Sequence, residues 1–446
     1  MPAANSLFEL DIEGMAYGGD GVGHLDRLAV FVPLAVPGDR LRARAIEPHR
    51  TYCRARIEEV LRPSPDRTPP GCRHFGACGG CQWQMAAYSK QLHYKKIVLT
   101  EVLARLGGLA VPDIEVLESG ACWGYRNKAQ LPVALVGGEK RIGYYRQGSH
   151  KLVAIDQCPV LAPAIEKSIQ AVTGVLAGSS FPAYDESSHR GELRHVIIRH
   201  CSRDGGLALT VVTRSAIRIG GLARELASSV AGVKSVYQNI NPQKGNVILG
   251  PTWRTVWGDE HQWEEMSGLQ LRLSGGSFLQ VNLVAAQTLY RAAIDGLEMS
   301  GSETVLDLYS GVGSIALDIA GRAGRVTGIE EAAPAVEDAR ASAEKNGIGN
   351  CIFLCGRAED VLREVPAADR VVLDPPRQGA RPEVIREIGR LGPDRVAYLS
   401  CNPSTLARDL KLFASLGYGL HRLLTADMFP HTYHIEALAM LRKERP

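Results

Sequence analysis

The feature that most restricts the fold is an alternation of short apolar runs with helix-length segments, which begins near Leu269 and continues to the end of the chain. The apolar runs read TVLDLYS, RVTGIEE, CIFLCGR, RVVLDPPR and RVAYLSCN. This alternation is typical of βα units that build a parallel sheet with helices on both faces. We therefore predict that residues 266–446 form a doubly wound α/β domain, whose ligands bind beyond the carboxyl ends of the strands.

Two further regions precede this domain in the 446-residue chain. Residues 1–65 alternate short β-branched runs with Pro-Gly-Asp and Pro-His breakers, which predicts a small OB-like β-barrel. Residues 66–265 mix short strands with few long helices and predict a central α+β domain. Its segments GYRNKAQLPV and RIGYYRQGSHKLV interleave basic and aromatic residues at strand spacing. Such strands either contact RNA phosphates and bases or are ordinary exposed faces.

The charge balance and the hydropathy pattern restrict the partners. The formal net charge is +3, so any basic surface must be local. Arg42 and Arg44 share one face of a predicted strand, and Arg54 and Arg56 share one face of the next strand. These basic faces either contact the RNA backbone or are ordinary solvated surface. No secretion signal is apparent, and no apolar run nears the roughly 20 residues that cross a bilayer. We expect a cytoplasmic protein without membrane or DNA partners.

A ligand site is predicted where the first strands of the C-terminal domain end. VLDLYSGVGSIAL places Tyr309, Gly311 and Gly313 in a strand-to-helix turn, where small residues let the backbone approach a ligand. Glu330 ends the next run, where an acid can accept hydrogen bonds from both hydroxyls of a ribose. Asp374 ends a further run, ahead of two prolines. The turn lacks G-x-G-x-x-G, so it favours S-adenosylmethionine over a dinucleotide.

Three cysteines lie within ten residues in CRHFGACGGC, and a fourth follows in DQCPV. In a cytoplasmic chain such a cluster indicates metal binding rather than disulfides. Four thiolates suit either a zinc ion or a [4Fe–4S] cluster, and packed reduced thiols are the remaining interpretation. The candidate ligands are Cys72, Cys78, Cys81 and Cys158.

These motifs carry a resemblance to a known family. The C-x5-C-x2-C cysteines, SFLQVN, DLYSGVGS, LDPPR, SCNPSTLARD and DMFPHTYHIE together resemble the bacterial RNA uracil-C5-methyltransferases. The resemblance covers nearly the whole chain and is strongest to the 23S rRNA branch. It implies a TRAM domain at residues 1–65, an iron–sulfur domain at 66–265 and a Rossmann-like class I methyltransferase domain at 266–446. It also implies a monomer that acts on 23S rRNA.

The resemblance assigns roles to individual residues. Cys401 would attack carbon 6 of the uracil as a thiolate, and Glu436 would remove the proton from carbon 5 after methyl transfer. The four cysteines would hold a [4Fe–4S] cluster. The implied contacts of S-adenosylmethionine are Gln280, Tyr309, Glu330 and Asp374.

Several points stay open at this stage. A free cysteine has a pKa of about 8.5, and Asn402 and Arg408 are candidate activators of the thiol. Phe278 or a tyrosine at 144–145 could fill the stack that a flipped base leaves. Alternative functions are a methyltransferase for the tRNA T loop, an rRNA-binding assembly factor without catalysis, and an adenine N6-methyltransferase. The last would need an aromatic residue where LDPPR has arginine.

Overall fold

The structure is a computed structural model, which describes residues 2–117 and 120–444. Positions 1, 118–119 and 445–446 of the three predicted domains lie outside these ranges. Within them, no helix combines the length and the apolar character that a membrane span requires.

Six strands of the N-terminal region form one sheet in the order β1-β5-β6-β4-β3-β2. The strands are β1 (Leu7–Asp11), β2 (Gly14–Met15), β3 (Gly21–Leu25), β4 (Leu28–Val32), β5 (Arg40–Pro48) and β6 (Tyr52–Arg62). The sheet curls so that Gly23 of β3 lies against β1. A Cβ at Gly23 would be 2.2 Å from the carbonyl oxygen of Asp11, so only glycine fits there. Its interior has an apolar core of its own.

The predicted basic faces of this sheet are largely neutralised by neighbouring carboxylates. The ion pairs are Arg42–Glu59 at 2.6 Å, Arg44–Glu58 at 2.8 Å, Arg56–Glu58 at 2.9 Å and Arg54–Asp20 at 3.5 Å. These arginines therefore favour the interpretation as solvated surface over that of an RNA-backbone contact.

The chain continues through two elements and then builds a seven-stranded sheet. The two elements are α1 (Tyr88–Val102), extended by a π-helix (Leu103–Gly107), and β7 (Ile114–Leu117). The sheet has the order β10-β9-β8-β11-β12-β13-β14 and is covered by α2 and α3. Its elements are β8 (Lys128–Val136), β9 (Glu139–Tyr145), β10 (Leu152–Ala154), α2 (Pro163–Gly178), β11 (Leu193–His200), β12 (Leu207–Thr213), α3 (Gly220–Ser229), β13 (Val233–Ile240) and β14 (Thr252–Gly258).

A hairpin leads into the C-terminal sheet, whose order is β19-β18-β17-β20-β21-β23-β22-β7. Strands β17 to β21 are parallel, and β23 runs antiparallel to both of its neighbours. The elements are β15 (Gln262–Met266), β16 (Leu269–Leu273), α4 (Leu283–Gly296), β17 (Thr304–Leu308), α5 (Ser314–Ala320), β18 (Arg325–Glu330), α6 (Ala333–Lys345), β19 (Cys351–Cys355), α7 (Ala358–Val361), a 3-10 helix (Leu362–Glu364), β20 (Arg370–Leu373), α8 (Pro382–Leu391), β21 (Arg395–Ser400), α9 (Pro403–Ser415), β22 (Tyr418–Ala426) and β23 (Glu436–Lys443).

Helices cover both faces of this sheet, as the alternating apolar runs predict. In β17, Leu306 and Leu308 belong to the core that α1, α8 and α9 cover, whereas Val305 belongs to the core under α4, α5 and α6. A parallel sheet buried on both faces places its ligand sites at the strand ends.

One predicted domain boundary needs correction. Residues 88–117 were expected in the central domain, but β7 pairs in parallel with β22 and extends the C-terminal sheet. Helix α1 packs its Tyr94, Val98 and Leu99 into the same core as that sheet. The reason is that an edge strand of four residues acquires its partner through tertiary contacts, which local sequence does not specify.

Candidate active site

Cys401 and Glu436 meet at one end of the C-terminal sheet. Cys401 follows Ser400, the last residue of β21, and Glu436 is the first residue of β23. The antiparallel pairing of Ser400 with Ala437 therefore brings the thiol beside the carboxyl group. Cys401 is partly exposed, whereas Glu436 is 5% exposed. The structure thus places a partly exposed thiol beside a buried carboxyl group.

The loop after β20 forms the next side of this site. Asp374 follows β20, the parallel neighbour of β21, and Arg377 follows the two prolines. Burial raises the pKa of both Cys401 and Glu436, and the positive charge of Arg377 opposes this rise. Arg377 is therefore the cation that faces the thiol, a role the sequence analysis did not assign.

The two candidate activators instead hold this loop. Asn402 donates a hydrogen bond of 3.0 Å from Nδ2 to the carbonyl oxygen of Arg377. Its Oδ1 accepts from the backbone N–H of Ser404 at 3.1 Å and so caps α9. Arg408 donates to the carbonyl oxygen of Gln378 at 3.0 Å. Both side chains act on the position of Arg377 rather than on the thiol.

The electrostatics of the free site favour the protonated forms of both groups. Burial, followed by the charges of Glu436 and Asp374, raises the pKa of the Cys401 thiol to about 11. Burial, followed by Asp374, raises the pKa of Glu436 well above its ordinary value. Arg377 opposes both shifts. Ionisation of the thiol therefore requires removal of negative charge from its surroundings or addition of positive charge.

A buried ion pair holds the segment that leads to Glu436. Lys95 of α1 lies 2.6 Å from Asp427, and the two side chains are 1% and 0% exposed. Lys95 also donates to the carbonyl oxygen of Phe429 at 3.1 Å. Its charge lowers the pKa of Glu436. Helix α1, which the sequence did not connect with the site, thus both holds the segment before Glu436 and favours the charged form of this carboxyl group.

The two histidines that flank this acid differ in environment. His431 is buried against Trp123, with ring centroids 3.9 Å apart, and its backbone N–H donates to Gln91 at 2.9 Å. Burial lowers the pKa of His431 to about 4. Burial, then Arg377, lowers the pKa of His434 to about 4. Both rings are therefore neutral at pH 7. His431 packs against Trp123, whereas His434 lies near Arg377.

The predicted ligand turn lies at the carboxyl ends of β17 and β18. One Glu330 oxygen accepts from the N–H of Gly311 at 3.0 Å, and the other accepts from Ala332 at 2.9 Å. Tyr309 has a φ of 64°, a left-handed conformation that is strained for this residue type. Gly313 has a φ of 82°, and a Cβ there would be 2.7 Å from the ring of Phe353. The turn is therefore built around a defined carboxylate.

Gln280 and Asp374 form a second pair of polar groups above the sheet. Burial raises the pKa of Asp374 to about 6, and a hydrogen bond from Gln280 opposes this shift. Burial, then Asp374, raises the pKa of Tyr290, on α4, well above its ordinary value, and a hydrogen bond with Gln280 opposes this rise. Within the described residues neither carboxyl oxygen of the nearby Asp307 has a hydrogen-bond partner of good geometry. This arrangement leaves buried acceptors that face the ligand turn.

The N-terminal region contributes a residue to this site to which the sequence analysis gave no role. The Tyr17 hydroxyl donates a hydrogen bond of 3.3 Å to Asn402 Oδ1, across 385 residues of sequence. Burial, then Tyr433 and Cys401, raises the pKa of Tyr17 to about 12. The thiol is therefore bordered by the turn between β2 and β3 of the N-terminal region as well as by the C-terminal sheet.

The four clustered cysteines lie close enough for their charges to interact. Burial, then Cys81, Cys72 and Cys78, raises the pKa of the Cys158 thiol to about 12. Gly80 donates its N–H to Cys78 Sγ at 3.4 Å. Nevertheless, in residues 2–117 and 120–444 no three side chains of His, Cys, Asp or Glu are arranged to hold a single metal ion. The thiols thus share a neighbourhood without forming a tight single-ion site.

The candidate stacking residues occupy different places. Phe278 is 63% exposed. Tyr144 lies among the cysteines. Burial and then the charges of Cys158 and Cys78 raise the pKa of its hydroxyl group. Tyr145 is half-buried and stacks on His150, with ring centroids 5.4 Å apart.

Comparison with known proteins gives consistent matches. The family model described as tRNA (Uracil-5-)-methyltransferase matches residues 265–444. A protein of Listeria monocytogenes serotype 4b, described as an uncharacterized RNA methyltransferase, is 37% identical over 444 residues, 98% of each chain. A protein of Thermosynechococcus vestitus with the same description is 38% identical over 442 residues, also 98% of each chain.

A solved structure matches over the same length. The tRNA (uracil-54, C5)-methyltransferase of Pyrococcus abyssi, in complex with S-adenosyl-L-homocysteine, is 27% identical, with a TM-score of 0.77. The match covers 97% of this chain and 100% of that chain. The chain therefore belongs to the tRNA (uracil-5-)-methyltransferase family, the S-adenosylmethionine-dependent RNA (uracil-C5-)-methyltransferases.

Proposed function

We propose that this protein transfers a methyl group from S-adenosylmethionine to carbon 5 of a uridine in 23S rRNA, through a covalent bond between Cys401 and the uracil. The observation that carries the proposal is the partly exposed thiol of Cys401 beside the buried carboxyl group of Glu436. A thiol and an acid so placed supply the nucleophile and the base that this reaction needs.

The reaction divides between these two residues. Cys401 Sγ, as a thiolate, forms a bond to carbon 6, and the ring electrons move to give an enolate. Carbon 5 then takes the sulfonium methyl group, whose bonding electron pair stays on the departing sulfur. Glu436 removes the proton from carbon 5, and the electrons of that C–H bond expel the Cys401 thiolate from carbon 6.

Arg377 supports the first step electrostatically. Its charge lowers the pKa of Cys401 and of Glu436, which favours the ionised forms that attack and proton removal require. Asn402 keeps this cation in place through the carbonyl oxygen of Arg377. We assign Arg377 to activation and Asn402 to positioning.

The polar groups around the ligand turn fit S-adenosylmethionine, which supplies an electrophilic methyl group. Glu330 would accept from the ribose hydroxyls, since backbone N–H groups already orient its two oxygens. Tyr309 would line the nucleoside side, and Gln280 and Asp374 would face the amino-acid side.

We further propose that Cys72, Cys78, Cys81 and Cys158 hold a [4Fe–4S] cluster. The thiols lie near enough for their charges to interact, which supports a shared site. Four thiolates suit either a zinc ion or a [4Fe–4S] cluster, and the resemblance to the 23S rRNA branch favours the cluster.

The RNA target has two candidates. The motifs that resemble the 23S rRNA branch support rRNA. The matched enzyme of Pyrococcus abyssi acts on tRNA and spans 97% of this chain, which supports the T loop of tRNA as the second candidate. The presence of N-terminal and central regions therefore does not distinguish the two candidates.

The test uses anaerobically purified protein, methyl-labelled S-adenosylmethionine, and unmodified 23S rRNA fragments beside tRNA transcripts. Digested nucleosides are separated to find labelled 5-methyluridine. Cys401→Ala serves as the inactive variant, and Cys355→Ala, at an exposed thiol of the same domain, is the matched control.

We expect label from 23S fragments alone, lost in Cys401→Ala and retained in Cys355→Ala. Label from tRNA alone would assign the second candidate. Binding of rRNA without any transfer would identify a non-catalytic rRNA-binding protein and overturn the proposed reaction.

A further inference from the structure

A cavity of about 460 Å³ opens near the site that contains Cys401 and Glu436. We name it the flanking pocket. It is lined by the turn 145–150 between β9 and β10, together with Gly18, Gly79, Gln82 and Tyr433. It therefore lies where the N-terminal region, the cysteine loop, the central sheet and the catalytic segment meet.

The walls of the flanking pocket are closely packed. Gly79 donates its N–H to the carbonyl oxygen of Tyr145 at 2.9 Å, and a Cβ at Gly79 would lie 2.8 Å from that oxygen. A Cβ at Gly19 would lie 3.0 Å from the ring of Tyr433. The glycines let the segments approach one another, so the pocket is formed before any ligand arrives.

The flanking pocket is separated from the thiol by one aromatic pair. Tyr433 packs edge-on against Tyr17, with ring centroids 6.4 Å apart and the ring planes at 89°. The hydroxyl of Tyr17 reaches Asn402, the residue after Cys401. A nucleotide in the flanking pocket would therefore lie next to a uracil ring that is bound at Cys401.

The lining side chains suit a single-stranded nucleotide. Tyr145 and His150 stack with their ring planes at 24°. The Nδ1 atom of His150 pairs with Glu186, but the side chain of His150 is 56% exposed, which leaves an aromatic surface for a base. Arg146 is exposed, and among the described residues no carboxylate lies within ion-pair distance of its guanidinium. A free guanidinium beside an aromatic surface matches a phosphate followed by its base.

We propose that the flanking pocket binds a nucleotide of the RNA strand next to the target uridine, with its base on Tyr145 and His150 and its phosphate at Arg146. The inference rests on the proposed function, because it takes RNA as the substrate. It adds a specificity site outside the residues that perform the chemistry.

The test measures binding without catalysis. Fluorescently labelled nine-residue oligouridylate is titrated with full-length protein at several salt concentrations, for the wild type, Arg146→Ala and His150→Ala. The matched control is Arg141→Ala, because Arg141 lies on β9, the strand that leads into this turn, is exposed and pairs with Glu139 outside the pocket.

We expect Arg146→Ala to weaken binding and to make the slope of log K against log salt shallower by about 0.7, the value for one phosphate contact on a single strand. We expect His150→Ala to weaken binding about tenfold through lost stacking, with an unchanged salt slope. In methylation assays with the RNA substrate, both changes should raise KM and leave kcat nearly constant.

The outcomes separate the two claims. Equal losses in Arg141→Ala and Arg146→Ala would overturn the pocket, since general charge would then explain binding. Wild-type protein that does not bind the oligonucleotide would also overturn it. Loss of binding in the pocket variants alone, in a protein that methylates no RNA, would keep the pocket and reject the proposed function.

Discussion

Cys401 and Glu436 lie side by side because β21 ends and β23 begins at the same point of an antiparallel ladder, one residue beyond the Ser400–Ala437 pair. Glu436 begins β23 and Cys401 directly follows β21, so strand pairing fixes the positions of both groups, which suits a reaction that needs a defined geometry. Helix α1 holds the segment before Glu436, and Asn402 holds the loop that carries Arg377. The site is therefore assembled from several parts of the chain that are distant in sequence.

The rate of methyl transfer should rise with pH. The pKa of Cys401 is raised to about 11, so the thiol is almost fully protonated at pH 7. Below its pKa the thiolate fraction grows tenfold for each pH unit. We expect kcat/KM to increase by about tenfold per unit between pH 6.5 and 8.5 in single-turnover assays. A profile that is flat in this range would show that the thiolate is already formed.

Removal of Arg377 should lower activity by a similar factor across the neutral pH range. Without this cation the pKa values of Cys401 and Glu436 rise further, so fewer molecules carry the reactive ionised forms. We expect Arg377→Gln to reduce kcat/KM by at least about tenfold, which corresponds to one pKa unit, because well below the pKa the thiolate fractions of both proteins rise in parallel with pH. Arg386→Gln, at an exposed arginine on α8, is the control and should be neutral. Activity of Arg377→Gln equal to that of the wild type would contradict the assigned role of Arg377.

Loss of the buried lysine should destabilise the protein strongly. Lys95→Met leaves Asp427 buried and unpaired, which costs about 3–5 kcal/mol. Lys96→Met, next to it on α1, removes an exposed pair with Asp113 and should change the free energy of unfolding by less than about 1 kcal/mol. The comparison is made by urea denaturation. Equal stabilities of the two variants would contradict the assigned role of Lys95.

The cysteine cluster should bind iron and sulfide in equal amounts. Protein purified without oxygen should carry both and lose them in Cys81→Ser, because the thiolate supplies an iron ligand. Cys355→Ser, at an exposed cysteine far along the chain, should retain them. The measurements are iron and acid-labile sulfide per chain. Stoichiometric zinc without sulfide would contradict the cluster.

The motifs around the reacting groups were readable from the sequence because each sits at a strand end. Cys401, Asp374 and Glu330 directly follow or end apolar runs, and the structure places all three at one edge of the sheet. The covered parallel sheet followed from the alternation of strands and helices. In these places local pattern and tertiary position agree.

The remaining parts of the site depend on contacts between distant segments. Tyr17 meets Asn402 across 385 residues, and Lys95 meets Asp427 across 332 residues. Neither has a local signature, since an aromatic residue in a glycine-rich loop and a lysine in a helix are common. Arg377 had a signal in LDPPR, where the prolines restrict the loop, but only the fold shows that its charge faces the thiol.

The most direct test of the account is the covalent bond between Cys401 and RNA. Glu436→Gln protein, S-adenosylmethionine and the unmodified RNA are mixed, and the products are separated under denaturing conditions. The account predicts a protein–RNA adduct that carries the transferred methyl group, because attack and methyl transfer proceed while proton removal fails. The adduct should be absent in the Cys401→Ala, Glu436→Gln double variant. Methylated RNA released without an adduct, or an adduct that persists without Cys401, would contradict the proposed mechanism.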